Sequence, residues 1–241
     1  MLQKTPNPRN RQDIYDDTAA NWWSDDIKWV RTLKNMVPGR LRYFDRFMDW
    51  NGAKVLDLGC AGGFMAEAID ERGSTATGID PSEPAIEAAR AHAKSGDRDI
   101  DYHVGVGEAL PFDSDSFDAV VCVDVLEHVS DLAKVVSEVA RVLKPGGKFL
   151  FDTINRNPIA SLVAVTAAED ILGLLPKGTH DPKMFIKPGE LRGHLMTSGF
   201  QVGKLTGLGP VGLNRRGDFI FGQLPSTAII YMGTAQLTSK E

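Results

Sequence analysis

Apolar positions along this chain follow two alternating rhythms. Short apolar runs lie at Lys54–Leu58, Ala76–Ile79, Ile100–Val104, Ala119–Val123 and Lys148–Thr153. Each is too short for a helix, and most are apolar on both faces, as strands buried inside a parallel sheet are. Between them the apolar spacing lengthens to a helical period over Phe64–Glu71, Ser82–Lys94 and Leu132–Leu143. The last is the clearest, with Leu132, Val135, Val136, Val139, Val142 and Leu143 on one face. Lys144-Pro145-Gly146-Gly147 is expected to end it, because proline cannot continue a helix and glycine suits its C-terminus. Strand–helix alternation with short links predicts an α/β domain, a mostly parallel sheet with helices on both faces.

The flanks break this rhythm. Residues 1–12 are polar and read as a flexible tail. Asp13–Trp29 mixes acids with Tyr15, Trp22, Trp23 and Trp29, aromatics that either anchor a helix on the core or cover a pocket. Pro38 is expected to open a helix carrying Leu41, Phe44, Phe47 and Met48 on one side. That puts Arg40 in the first turn, where the helix dipole disfavours a cation. A ligand carboxylate or plain solvation would each account for it. After the fifth strand, Asn155–Leu175 holds a helix apolar around most of its surface, and Pro176–Pro188 is a polar loop. A helix at Glu190–Thr197 and strands at Phe200–Thr206 and Thr227–Leu237 complete a seven-stranded sheet, with Gly207–Pro225 irregular. The expected organisation is a tail at 1–12 and one domain at 13–241, with an N-terminal helical cover at 13–50 and an insert at 155–188. Ligands of open α/β sheets bind at the carboxyl ends of the strands, so the insert is positioned to cover a substrate.

The 241 residues carry a formal charge of −5 and 42% hydrophobic side chains. That suits one domain with a well-filled core and argues against a nucleic-acid partner. Cys60 and Cys122 are the only cysteines, both at the ends of apolar strands. Such usage fits a reducing compartment, so a cytoplasmic location is expected. No apolar run reaches the length of a membrane span. The broad apolar face of the insert would suit peripheral contact with a membrane; burial against the protein's own core is the competing expectation.

The chemistry concentrates in Val55-Leu56-Asp57-Leu58-Gly59-Cys60-Ala61-Gly62-Gly63-Phe64. A buried strand ends there in a glycine-rich turn and feeds a helix whose free N–H groups face the same spot. The next strand ends at Asp80-Pro81-Ser82, about 20 residues on, where a nucleotide-binding βαβ unit places its ribose-binding acid. A dinucleotide fingerprint needs G-x-G-x-x-G. Here the turn reads G-x-A-x-G, with an acid two residues before it. That arrangement resembles the first motif of class I S-adenosylmethionine methyltransferases, in which negative charge favours a cationic sulfonium and its amino acid tail. The resemblance implies cofactor contacts from Asp57, Gly59, Ala61, Gly63, Asp80 and Pro81. It also points to Gly107 and Glu108, after the third strand, as neighbours of the adenine; Glu108 reads equally as a plain loop acid.

A second constellation, Asp124-Val125-Leu126-Glu127-His128, follows the fourth strand. If a helical turn starts at Asp124, the i, i+3, i+4 spacing puts all three polar side chains on one face. Two carboxylates and an imidazole suit Mg²⁺, Mn²⁺, Fe²⁺ or Zn²⁺, and His180 in the insert offers a fourth ligand. The alternative keeps each residue local, with His128 acting alone as a general base. Residue types alone favour the local reading.

A more specific likeness runs through Asn21-Trp22-Trp23, Gly39-Arg40-Leu41, Val125-Leu126-Glu127-His128-Val129, Thr153-Ile154-Asn155-Arg156-Asn157 and Leu175-Pro176-Lys177-Gly178-Thr179-His180-Asp181. With these pieces, the chain from about Asp13 to Leu237 resembles the 3-demethylubiquinol 3-O-methyltransferases of ubiquinone biosynthesis. The resemblance implies a Rossmann-like class I sandwich, S-adenosylmethionine as methyl donor, and a phenolic or polyprenyl-catechol acceptor. It makes Arg40, Gly59, Asp80 and Val123 cofactor positions. The acid-x-x-Glu-His set with a later histidine also looks like the metal site of metal-dependent small-RNA 2′-O-methyltransferases. That strengthens Asp124, Glu127, His128 and His180 as metal ligands, with Glu127 and His128 acting on the acceptor hydroxyl. Ala61, Val30–Lys34 and residues 210–223 depart from the family pattern. An O-methyltransferase of another small phenol is therefore the nearest alternative, and a non-catalytic cofactor-binding module the alternative of another class.

Overall fold

The computed structural model describes residues 9–238. The chain opens with α1 (Asp13–Thr18), a 3₁₀ turn at Ala19–Asn21 and α2 (Lys28–Phe44). Then β1 (Lys54–Leu58), α3 (Phe64–Asp70), β2 (Thr75–Asp80), α4 (Glu83–Ser95), β3 (Asp101–Val104), β4 (Phe117–Cys122), α5 (Leu132–Val142) and β5 (Leu143–Ile154) alternate as the hydrophobic pattern requires. The insert follows as α6 (Pro158–Ser161) and a π-helix at Leu162–Ile171. The chain ends with α7 (Pro188–Thr197), β6 (Phe200–Val202), β7 (Thr206–Leu213), β8 (Phe219–Leu224) and β9 (Ile230–Leu237).

All strands share one sheet, in the order β3-β2-β1-β4-β5-β9-β7-β8, with β6 also paired to β9. The pairs among β1–β5 are parallel, and those made by β6–β9 are antiparallel. Parallel strands need both faces covered, and Val55, Leu56, Val120, Val121, Phe149 and Leu150 are all fully buried. On one face α5 contributes Val135, Val136, Val139 and Val142, each at 0% exposure. Burying each such side chain is worth about 1.5–3 kcal/mol. Among the described residues no helix is long and apolar enough to cross a membrane.

Four expectations need correction. The sheet has nine strands, not seven, because Gly207–Pro225 forms the β7–β8 hairpin. Its glycines and Pro210 hide the alternating pattern. Its tip is held by Asn214, whose side-chain oxygen accepts from Arg216 and Asp218 N–H. Pro38 lies inside α2 rather than at its start. The glycine after it is where α2 meets β8, since a Cβ on Gly39 would sit 2.6 Å from Phe221 O. Lys144–Gly147 does follow the end of α5, but the chain is already paired at Leu143 with Phe117 of β4. The apolar insert is mostly π-helix, a wider coil than expected. Residues 1–8 of the expected tail lie outside the described residues, whereas Asn10, Arg11 and Gln12 contact the loops around His128 and His180.

Candidate active site

A cleft of about 310 Å³ opens at the carboxyl ends of β1, β2 and β4. Of the residues expected at a cofactor, Arg40, Asp57, Gly59, Ala61, Asp80, Pro81 and Val123 line it. Gly63, Gly107 and Glu108 do not. Gly63 instead starts α3 with φ 94°, and a Cβ there would lie 2.5 Å from the Tyr102 hydroxyl. Gly107 packs against Val135 and Leu58. The Glu108 carboxylate is occupied in accepting from the N–H and hydroxyl of Ser130, which draws it away from the cleft.

The two acids of the cleft are held differently. Asp80 is clamped: Oδ2 accepts from Ala61 N–H and Oδ1 from Ser82 N–H, both at 2.9 Å. Asp57 is 1% exposed and its Oδ2 has no partner. Burial, reinforced by the charge of Asp80, pushes the Asp57 carboxyl up to about 7. Burial also raises Asp80, to about 6, against the pull of the two N–H groups. A buried polar atom left without a partner costs about 1–3 kcal/mol. Trp22 Nε1 is a second such atom lining the same cleft. Ala61 adopts φ 44°, the left-handed conformation that favours glycine, at a cost of about 1–2 kcal/mol.

The roof comes from the N-terminal segment, part of the expected helical cover at 13–50. Trp22 packs so tightly that a Cβ on Gly62 would lie 2.1 Å from its ring. Trp23 Nε1 donates to Gly62 O, and its ring stacks on His92 at 3.4 Å between centroids. The aromatics therefore both anchor and cover. Ser82, which caps α4, donates its hydroxyl to Asp16. The Asp16 contact, from a distant segment, carried no sequence signal.

Arg40 was expected to meet either a ligand carboxylate or solvent. It is 2% exposed and lies between two internal carboxylates, with Nε donating to Asp152 at 2.6 Å and the guanidinium 2.5 Å from Asp124. Asp152 was missed, although a lone acid in the apolar run Phe149–Thr153 is an available signal. The pairing also displaces Asp124 from the metal set. Asp124 takes φ 55°, and the 3₁₀ turn starts later, at Leu126. Its carboxylate turns towards Arg40, so the expected single face never forms.

Three of the four expected ligands do meet. One ligand atom from each of Glu127, His128 and His180 lies within 4.8 Å of the others. Glu127 Oε2 accepts from the Thr153 hydroxyl at 2.8 Å, while its Oε1 is buried without a partner. Burial, helped by the charge of Asp124, pushes the Glu127 carboxyl up to about 8. Burial, and then the neighbouring His180, hold the His128 imidazole down at about 3. The rings of His128 and His180 stack at 5.2 Å. Two imidazoles beside an unpartnered carboxylate oxygen form a donor set for a cation or a proton. His128 also lines the cleft, which joins the two clusters.

Known proteins agree with this geometry. Residues 56–151 match the family described as a methyltransferase domain. A ubiquinone biosynthesis O-methyltransferase of Thiobacillus denitrificans is 42% identical over 195 residues, covering 80% of this chain and 84% of that protein. The protein of that name in Pseudomonas entomophila is 40% identical over 195 residues, covering 80% of this chain and 84% of its own. A solved SAM-dependent methyltransferase of Aquifex aeolicus, 14% identical, superposes with a TM-score of 0.65 over 92% of this chain and 98% of its own. At that identity the likeness speaks to the fold alone. The acid-bearing strand ends, the glycine turn between them and the identity across 80% of the chain converge: the chain belongs to the ubiquinone biosynthesis O-methyltransferases, S-adenosylmethionine-dependent enzymes on the class I methyltransferase fold.

Proposed function

We propose that this enzyme methylates a catechol oxygen of a polyprenyl-substituted ring. The supporting observation is the unpartnered, buried Glu127 Oε1 beside His128 and His180, next to the cleft. That cleft would hold S-adenosylmethionine, with Asp80 to accept from its ribose hydroxyls and Asp57 to face its cationic end. Gly59, Ala61, Pro81 and Val123 would form the walls, and Arg40 pairs with Asp124 and Asp152. When bound, the cofactor would supply an electrophilic methyl group, whose C–S bond would break to leave a neutral thioether as the bond to the acceptor oxygen forms. The hydroxyl proton must go to the protein. A phenol titrates near about 10, so an imidazole held at about 3 is a poor acceptor for it. Glu127, whose buried Oε1 has no partner, can take the proton once its carboxyl is ionised, which its rise to about 8 favours at alkaline pH. Glu127, His128 and His180 also fit a divalent cation, which when bound supplies Lewis-acid stabilisation of a catecholate. Asp124, paired with Arg40, is not part of that set.

The test is methyl transfer to simple catechols and to a polyprenyl catechol, with and without chelator, in wild type and His180→Ala. Preference for the polyprenyl substrate, with loss of activity on chelation and in His180→Ala, is expected. Full activity in both, with no metal by elemental analysis, removes the cation and leaves Glu127 as the acceptor. No methylation of any catechol sinks the substrate assignment.

The N-terminal segment and the insert form the covers over this site, and the insert also touches a membrane surface. Ile159, Leu162 and Ile171 are 60%, 61% and 72% exposed, while Ala160, Ala164 and Val165 on the same helices are buried. Exposed apolar side chains grouped on one short segment suit a lipid interface. Buried, unpaired Cys60 and Cys122 fit the reducing cytoplasmic side. Replacing Leu162 and Ile171 by serine should reduce flotation with liposomes without weakening cofactor binding. Wild-type protein that never floats removes the membrane contact.

A further inference from the structure

Each imidazole of the second site has its Nδ1 engaged by a side chain from outside the sheet. Asn10 Oδ1 lies 2.5 Å from His128 Nδ1, and Asn10 Nδ2 donates to His128 O at 3.3 Å. The second contact orients the amide: its nitrogen faces the carbonyl, so its oxygen faces the ring. An amide oxygen can only accept, which puts the proton on His128 Nδ1. Glu169 makes the matching arrangement at the other ring. Its Oε1 accepts from His180 N–H at 3.0 Å and lies 2.9 Å from His180 Nδ1, while Oε2 accepts from Gly178 N–H at 2.9 Å. Glu169 is 2% exposed and sits in the largely apolar π-helix of the insert. A carboxylate likewise accepts, so His180 also carries its proton on Nδ1.

We propose that Asn10 and Glu169 are positioning residues that lock both imidazoles in the Nδ1–H tautomer, leaving both Nε2 lone pairs for the site. This rests on reading Glu127, His128 and His180 as the reacting centre. The physical reason for two such partners is that a neutral imidazole can place its proton on either nitrogen, and the bond at one decides the other. The partners come from the two segments that flank the methyltransferase sheet, the N-terminal strap and the insert. The same segments that cover the site therefore also set its donor atoms.

Long-range proton–nitrogen NMR on cofactor-loaded, ¹⁵N-histidine-labelled protein reads the tautomers directly, with His128→Ala and His180→Ala assigning the signals. Both rings should appear protonated on Nδ1 in wild type. Asn10→Leu should move His128, and Glu169→Leu should move His180, towards the Nε2–H form. Asn10→Asp and Glu169→Gln, which keep an accepting oxygen, should restore the wild-type pattern. Binding of Mn²⁺, used as the probe ion, should weaken about 10-fold to 100-fold in the leucine variants, the range for losing a partner of a ligating histidine. S-adenosylmethionine affinity should stay within twofold. A wild-type ring protonated on Nε2, or tautomers unmoved in both leucine variants, overturns the proposal. Tautomers that shift as expected while His128→Ala and His180→Ala keep full methyl transfer support the lock and overturn the reading of the site. Asn10 is only partly buried, so its variants stay informative even if Glu169→Leu does not fold.

Discussion

The cofactor cleft takes its acids from neighbouring parallel strands, with Asp57 opposite Gly78 in the β1–β2 register and Asp80 at the end of β2. The second cluster takes Glu127 and His128 from the turn after β4 and His180 from the insert, and steadies them with Asn10 and Glu169. In the first region the backbone does the positioning: Asp80 is held by two N–H groups of the same βαβ unit. In the second, side chains from well-separated segments hold one another. A region of the first kind tolerates changes elsewhere in the chain, and one of the second kind depends on every cover being in place.

If the two regions are independent, each should fail without the other. The largest expected effect is in the second. Glu127→Gln keeps the volume and removes the charge, and should lower kcat by about 10²- to 10⁴-fold, the range for a positioned acid–base group. Calorimetry on the same protein should find cofactor affinity unchanged; a parallel loss of affinity would merge the two regions. Next, Asp80→Ala should weaken S-adenosylmethionine binding by about 1.5–3 kcal/mol, the scale for hydrogen bonds to a charged group. At saturating cofactor, kcat should recover. An unchanged Kd in a folded Asp80→Ala protein would remove Asp80 from the cofactor site.

The smallest effect is in pH dependence, and it has opposite signs in two measurements. Asp57 and Asp80 are raised to about 7 and about 6, above the ordinary carboxylate value in an unfolded chain. The folded, cofactor-free protein therefore binds more protons than the unfolded chain below about pH 7, and these groups add stability as pH falls from 8 towards 5. A ligand that needs both carboxylates ionised is weakened over the same window, by about tenfold between pH 8 and pH 6 through Asp57. Thermal unfolding and cofactor titration across this range should move in opposite directions. Asp57→Asn should flatten both.

The contrast also explains what could be read from the residues. The parallel half was legible nearly to the residue because β1 needs apolar side chains on both faces and its turn needs glycine at 59 and 63, where φ is 78° and 94°. Ala61, Asp80 and Pro81 belonged to the same legible block. Asp124 was misplaced because the i, i+3, i+4 argument assumes a helix, and the buried guanidinium of Arg40 bends the chain and takes the acid instead. Asn10 and Glu169 had no local signal, since what each does depends on a histidine far away in sequence. The β7–β8 hairpin was hidden for another reason. Its glycines, among them Gly207 lying close to Ser226 O, erase the period-two pattern.

The strap from Asn10 to Trp23 has a consequence for the order of events in turnover. It closes over Gly62 through Trp22, over Ser82 through Asp16 and over His128 through Asn10. If the cleft holds the cofactor and the His128 cluster is the reacting centre, any movement of this segment that admits cofactor would also break the Asn10 contact to the imidazole.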